Sequence, residues 1–112
     1  MEQYKKIKDY PIYKISNYGR VRNIASGRVL IPKLGSHRYL NVNLRHNNKA
    51  KSFLVHQLVC EAFELENPKR YKTITHIDGN NENNHIDNLM YGRKQRTKVY
   101  EIKNDSLEIS FN

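Results

Sequence analysis

The sequence predicts an α+β fold: a small N-terminal antiparallel sheet module, then a core helix, then a β-turn-β hairpin that leads into a second helix. Three observations predict it. The first fifty residues alternate β-branched or aromatic residues with turn formers. Residues 53–63, "FLVHQLVCEAF", place apolar side chains at helical spacing. Residues 72–91 then return to short alternating segments around a long polar turn.

In chain order, "YPIYKIS", "GRVRNIA", "GRVLIPKL" and "YLNVNLRH" read as strands, punctuated by Asn-Tyr-Gly, Ala-Ser-Gly and Gly-Ser-His. In the last of these, Leu40, Val42 and Leu44 form one face, and Tyr39, Asn41, Asn43 and Arg45 form the other. Asn47-Asn48 supplies a tight turn into a further strand or the helix. Val55, Leu58, Val59, Ala62 and Phe63 form the apolar stripe of the core helix, which ends before Pro68 because a proline biases its predecessor away from helical torsions. "YKTITHI" alternates as a strand, Asp78-Gly79 signals a turn, and Leu89-Met90-Tyr91 is placed to pair back. "RKQRTKVYEIKN" fits a basic terminal helix, and "DSLEISFN" a short strand or tail. The organisation expected is a β-rich module over residues 1–50 and a hairpin module with its preceding helix over 51–112.

With 112 residues and 38% hydrophobic content, the chain has room for one modest core and excludes a large multidomain enzyme. Twenty Lys+Arg against eleven Asp+Glu leave a net charge of +9, which attracts polyanions over long range and makes nucleic acid the leading partner class. The single cysteine, Cys60, allows no intrachain disulfide and no thiolate cluster, and its helical apolar position reads as a buried small hydrophobe. No His/Cys pair has the close spacing of a zinc site, so no zinc is expected. "MEQYKKIKDY" has no apolar signal-peptide core, and no run approaches the roughly 20 apolar residues of a membrane span. A bacterial cytoplasm is the expected compartment.

The run "ITHIDGNNENNHIDNL" commits almost every position to a hydrogen-bonding group. It resembles the HNH endonuclease signature of the small phage and homing type. "FLVHQLVCEAF" resembles the helix that precedes that hairpin, and "YPIYKISNYGRVRN" the N-terminal DNA-binding module often fused to it. The resemblance implies a phage-derived nuclease with a ββα-metal fold, double-stranded DNA as partner, and magnesium or manganese as cofactor. It assigns His76 as general base, its imidazole held at the lip of the hairpin and aimed by amides, with Asn88 bracing the hairpin and orienting the ring and Asn84 extending the network. Histidine suits the role because its ordinary pKa, about 6.5, leaves it mostly neutral yet able to accept a proton. Asp78 and Asn80 would close the loop through side-chain-to-backbone bonds.

Two departures stand out. Where the family carries Asp or Asn as a metal ligand just before the base, this chain has Thr75, and the last ligand position aligns with Thr97. Hydroxyls are poor ligands for hard cations, which leaves Asp78, Asp87 or His85 with DNA phosphates as substitutes. Two readings therefore stay open: an active, metal-dependent nicking endonuclease, or a catalytically degenerate relative that binds DNA or a host protein as a phage regulator or inhibitor. Under either, Arg20, Arg22, Arg38, Arg45, Arg93, Lys94, Arg96 and Lys98 are the candidate DNA contacts. His56 reads as a helix histidine bonded to the hairpin, His85 as an exposed loop residue, and His37 and His46 as turn residues. Tyr10, Tyr13, Tyr18 and Tyr39 fit sheet packing as well as base stacking.

Overall fold

The structure, a computed structural model, describes residues 1–93. Its first sheet is an antiparallel meander of β1 (Tyr4–Ile7), β2 (Tyr10–Ser16) and β3 (Val21–Asn23). Ile15 and Val21 face one another in the β2–β3 register and bury completely or nearly so, at 0% and 2% exposure, while their neighbours Lys14 and Arg22 pair on the opposite face. The second sheet holds β4 (Lys33–Leu34), β5 (Leu40–His46) and β6 (Lys49–Leu54) in that order. Asn47 and Asn48 both adopt positive φ, 53° and 63°, the mirror-image turn whose twist matches that of a two-residue hairpin. The alternation read in β5 holds: Val42 and Leu44 are buried, Asn43 and Arg45 exposed.

Helix α1 (Val55–Ala62) follows β6 directly. It is shorter than the apolar stripe suggested, because Phe53 and Leu54 finish β6 before the chain turns helical. The third sheet is the two-stranded hairpin β7 (Ile74–His76) and β8 (Leu89–Tyr91), paired Ile74 to Tyr91, Thr75 to Met90 and His76 to Leu89. Val55, Leu58, Val59 and Cys60 from α1 join Ile15, Val21, Leu44 and Leu89 in one core, so all the sheets that position the site share a single packed centre.

Some expectations shift. The segment "GRVLIPKL" contributes only a bridge from Val29 to Arg22 and the two residues of β4; Pro32 lacks the N–H a ladder needs, and Ile31 stands 91% exposed. "YKTITHI" pairs only from Ile74 to His76. The boundary expected between residues 50 and 51 falls inside β6, which pairs with β5 along its whole length, so the N-terminal strands run into α1 with no linker. The basic terminal helix and tail expected over 93–112 lie, but for Arg93, outside the described residues, as do Lys94, Arg96, Thr97 and Lys98. No helix among the described residues is long and apolar enough to cross a membrane.

Candidate active site

The loop between β7 and β8 is built by amides and one carboxylate. Asn88, 9% exposed, makes three bonds: its Oδ1 accepts from the Asp78 backbone N–H at 2.9 Å, and its Nδ2 donates to Asp78 Oδ1 at 2.9 Å and to the Asn83 carbonyl at 2.8 Å. Asp78 Oδ1 also accepts from the Asn80 N–H at 2.8 Å, and its Oδ2 from Asn83 Nδ2 at 2.9 Å. Asn80 Oδ1 continues the chain to the Glu82 N–H. Bonds to the charged form of a carboxyl favour it, and here the Asn83 amide, then the Asn80 N–H, then the Asn88 amide hold Asp78 below the usual carboxylate range. The polarity noted in the sequence therefore builds a self-bonded loop in place of apolar packing.

His76 sits at the end of β7 with its ring in the interior, at 5% exposure, rather than at the lip of the hairpin. The residue that reaches it is Asn84, not Asn88: Nε2 and Asn84 Oδ1 lie 2.8 Å apart, whereas the bonds of Asn88 go to Asp78 and Asn83. An amide oxygen can only accept, so the Nε2–H donates and the neutral ring keeps its lone pair on Nδ1. The ring is enclosed by others. His56 meets it edge-on at a centroid distance of 5.0 Å, and Tyr39 lies 5.9 Å from His76 and 4.9 Å from His56. Tyr39 is delivered by the segment 35–39, which the hairpin loop holds through Asn81 Nδ2 donating to the His37 carbonyl at 2.7 Å and through Arg38 pairing with Glu82 at 2.6 Å.

In place of the bond to the hairpin that the sequence suggests, His56 Nδ1 is buried with no partner among the described residues. The same is true of His76 Nδ1 and Asn84 Nδ2. Buried polar atoms are rarely left unpaired, and three on neighbouring residues make this spot the candidate site. Burial, and then the proximity of His76, push the His56 imidazole down to about 4, so it is neutral at cellular pH. The hairpin run brings His76 and Asn84 together, but sequence spacing gave no sign that Tyr39 and His56, from two other segments, would join them. Burial likewise pushes the Cys60 thiol up to about 12, in keeping with an inert core residue.

The described residues do not make a divalent-cation site. The Thr75 hydroxyl donates to the Gly92 carbonyl at the open end of the hairpin, both Asp78 oxygens are taken by the loop, and no group of three or more His, Cys, Asp or Glu residues there is placed to hold a metal. His85, one proposed substitute, stacks on Tyr18 at 4.8 Å, and its Nδ1 accepts from the Asp87 N–H.

Among the candidate DNA contacts, Arg20 pairs with Glu2 at 2.8 Å, and Arg22 donates to the Gly27 carbonyl and lies 5.5 Å over the Tyr4 ring, where Lys14 joins it at 4.8 Å. Arg38 is committed to Glu82, while the side chains of Arg45 and Arg93 are exposed. Tyr13 is buried and Tyr10 packs edge-on against Phe53, which leaves Tyr18 as the tyrosine of the four at the surface.

Comparison with known proteins agrees with this architecture. A family model described as the NUMOD4 motif matches residues 2–45, and one described as HNH endonuclease matches residues 53–99. DNA endonuclease I-HmuI of Bacillus phage SP01 is 34% identical over 116 residues, covering 96% of this chain and 62% of its own. H-N-H endonuclease F-TflII of Escherichia phage T5 is 33% identical over 100 residues, covering 88% and 52%. An uncharacterized HNH endonuclease of Acanthamoeba polyphaga mimivirus is 34% identical over 109 residues, covering 89% and 33%. This chain thus spans between a third and three-fifths of the length of these relatives. The solved structure of the HNH homing endonuclease I-HmuI, which concerns DNA binding and cleavage by that enzyme, superposes with a TM-score of 0.73 at 31% identity, covering 96% of this chain and 62% of that one. The chain carries a NUMOD4 motif leading into a domain of the HNH endonuclease family, and is similar along most of its length to phage homing endonucleases of that family.

Proposed function

We propose that this chain binds double-stranded DNA through its basic N-terminal sheet and nicks one strand, with His76 as the base that takes a proton from the attacking water. The observation that carries the catalytic part is the 2.8 Å contact of His76 Nε2 with Asn84 Oδ1, which leaves Nδ1 as a lone pair with no partner among the described residues. A base needs such a lone pair and a fixed ring plane. That nitrogen is buried in a ring packed against Tyr39 and His56, so a water reaches it only when a neighbouring side chain moves aside. Asn88 and Asp78 act indirectly, by holding the loop that carries Asn84. The family's divalent cation would stabilise charge on the phosphate. No group of three or more His, Cys, Asp or Glu among the described residues is placed to hold it, so the magnesium or manganese expected from the sequence would need DNA phosphates among its ligands. On the DNA side, Arg22, Arg45 and Arg93 are the proposed phosphate contacts; Arg20 and Arg38 join them by giving up Glu2 and Glu82. The setting proposed is the cytoplasm of a phage-infected bacterium.

The test is nicking of supercoiled plasmid with magnesium or manganese, wild type beside His76→Ala. Nicks from the wild type alone are expected; equal nicking by both would remove His76 from the chemistry.

A second reading is favoured by one specific observation, the Thr75 hydroxyl tied to the Gly92 carbonyl where the family's ligand would stand. Under it the chain has kept the DNA-binding scaffold, or turned it to a host protein, and lost cleavage. No nicking by wild type, together with nicking and saturable manganese binding in Thr75→Asp, would select this reading over the first. DNA affinity that ignores salt would point to a protein partner instead.

A further inference from the structure

The N-terminal sheet does more at the site than bring cationic side chains near it. Its β2–β3 turn runs antiparallel along the hairpin loop, residue against residue. The Asn17 carbonyl accepts from the Ile86 N–H at 2.8 Å, the Tyr18 ring stacks on His85 at 4.8 Å with 29° between planes, and Gly19 lies against Asn84. The last contact is a backbone approach that only glycine permits. At Gly19 φ is +88°, and a Cβ there would stand 2.8 Å from Asn84 Cβ and 3.1 Å from the Asn84 carbonyl oxygen. The turn itself is stiff: Ser16, with no exposed surface, accepts at Oγ from the N–H groups of Tyr18 and Arg20, both at 3.1 Å, and Asn17 Oδ1 accepts from the Gln3 N–H at 2.7 Å. Asn84, 4% exposed, thus has this turn at its back and the His76 ring in front.

We infer that residues 17–19 of the N-terminal sheet are a positioning element for His76, with Gly19 setting the depth at which Asn84 presents its amide oxygen to the imidazole. The two family motifs of this chain are then coupled at the site itself: the first one's turn fixes the tautomer and ring plane of the second one's histidine. The structural part of this stands on the contacts above, and only its catalytic consequence rests on His76 being the base.

The test reads the tautomer directly, by nitrogen–proton correlation spectra of the imidazoles at a pH where His76 is neutral. Wild type is expected to show a single form protonated on Nε2. In Gly19→Ala, a displaced Asn84 loses that bond and a second form protonated on Nδ1 appears, with single-turnover nicking down on the order of 10²-fold. An unchanged His76 spectrum in a Gly19→Ala protein that still melts cooperatively overturns the inference. Should Gly19→Ala fail to fold, Tyr18→Ala, which removes only the stack on His85, carries the test: a partial shift of the tautomer supports the coupling and an unchanged one refutes it. A wild type that does not nick, combined with a tautomer that follows Gly19, would leave the coupling standing and sink the nicking proposal alone.

Discussion

Asn88→Ala is the most direct probe of the idea that amides replace a core in the hairpin loop. Two of the bonds it removes involve backbone groups: the Asp78 N–H loses its acceptor at 2.9 Å, and the Asn83 carbonyl its donor at 2.8 Å. Each such bond contributes about 1 kcal/mol net, and a group left poorly solvated costs a further 1 kcal/mol or so. The third bond, to the Asp78 carboxylate, is left out of the sum because that carboxylate is open to solvent, which competes for it. The total is about 2–3 kcal/mol. For a domain of this size each kcal/mol moves the midpoint by roughly 4–8 °C, so a fall of about 10–20 °C is expected by calorimetry. Urea titration should show the midpoint move with the slope unchanged. A loss under about 0.5 kcal/mol would refute the argument, since it would mean that the loop holds its shape without its most connected amide.

Two further outcomes follow from the charges. His56 is held neutral down to about 4, well below its ordinary 6.5, so the unfolded chain binds the proton first; stability is full above about pH 6.5 and is lost as pH falls toward 4. At 1.36 kcal/mol per unit the ceiling is about 3 kcal/mol, which solvent relaxation around the ring reduces to about 1–2 kcal/mol; melts across this range should show the decline in wild type and a flatter profile in His56→Phe. If Arg22 and Arg45 contact phosphates, each alanine variant should reduce the slope of log affinity against log salt by about 1 and weaken binding evenly across DNA sequences; a change confined to one sequence would assign the residue to base reading.

How far the sequence carries depends on whether a feature is local. Asn47-Asn48 marks its hairpin because two successive positive-φ residues are a property of the turn alone. The alternation of Leu40 to Arg45 tells its buried face from its exposed one for the same reason, as does the stripe of Val55, Leu58 and Val59. The Asx bonds of Asp78 with Asn80 and Asn83 span a few residues and are likewise legible. His76 is different. Its inward orientation and its packing against Tyr39 and His56 depend on three segments meeting, and no spacing rule brings Tyr39 to a residue thirty-seven positions away. Motif position placed Asn88 on the histidine because both belong to one signature. The fold assigns that contact to Asn84, because Asn88 is occupied in closing the loop around Asp78.

That division of labour bears on what a chelator should do. In small metal-built domains the ion's binding energy is folding energy, and removing it unfolds the chain. Here the loop closes on its own groups: Asp78 is satisfied by Asn80, Asn83 and Asn88, the strands pair Ile74 to Tyr91 and His76 to Leu89, and Leu89 anchors the hairpin in the shared core. None of these contacts needs a cation. A ligand stabilises only the state it binds, by an amount set by its concentration over its dissociation constant, so a hairpin that folds without metal gains little from one it binds weakly. Saturating EDTA is therefore expected to shift the melting midpoint by less than about 1 °C, whatever it does to nicking, because 1 kcal/mol would already move it by several degrees. A drop of that larger size would show that a cation helps hold the hairpin and that hydrogen bonds alone do not account for its stability. A flat response would explain how an HNH fold can tolerate threonine at a position where the sequence resemblance implies a ligand: the scaffold's stability and any metal chemistry would rest on different residues, and the second could be lost without the first.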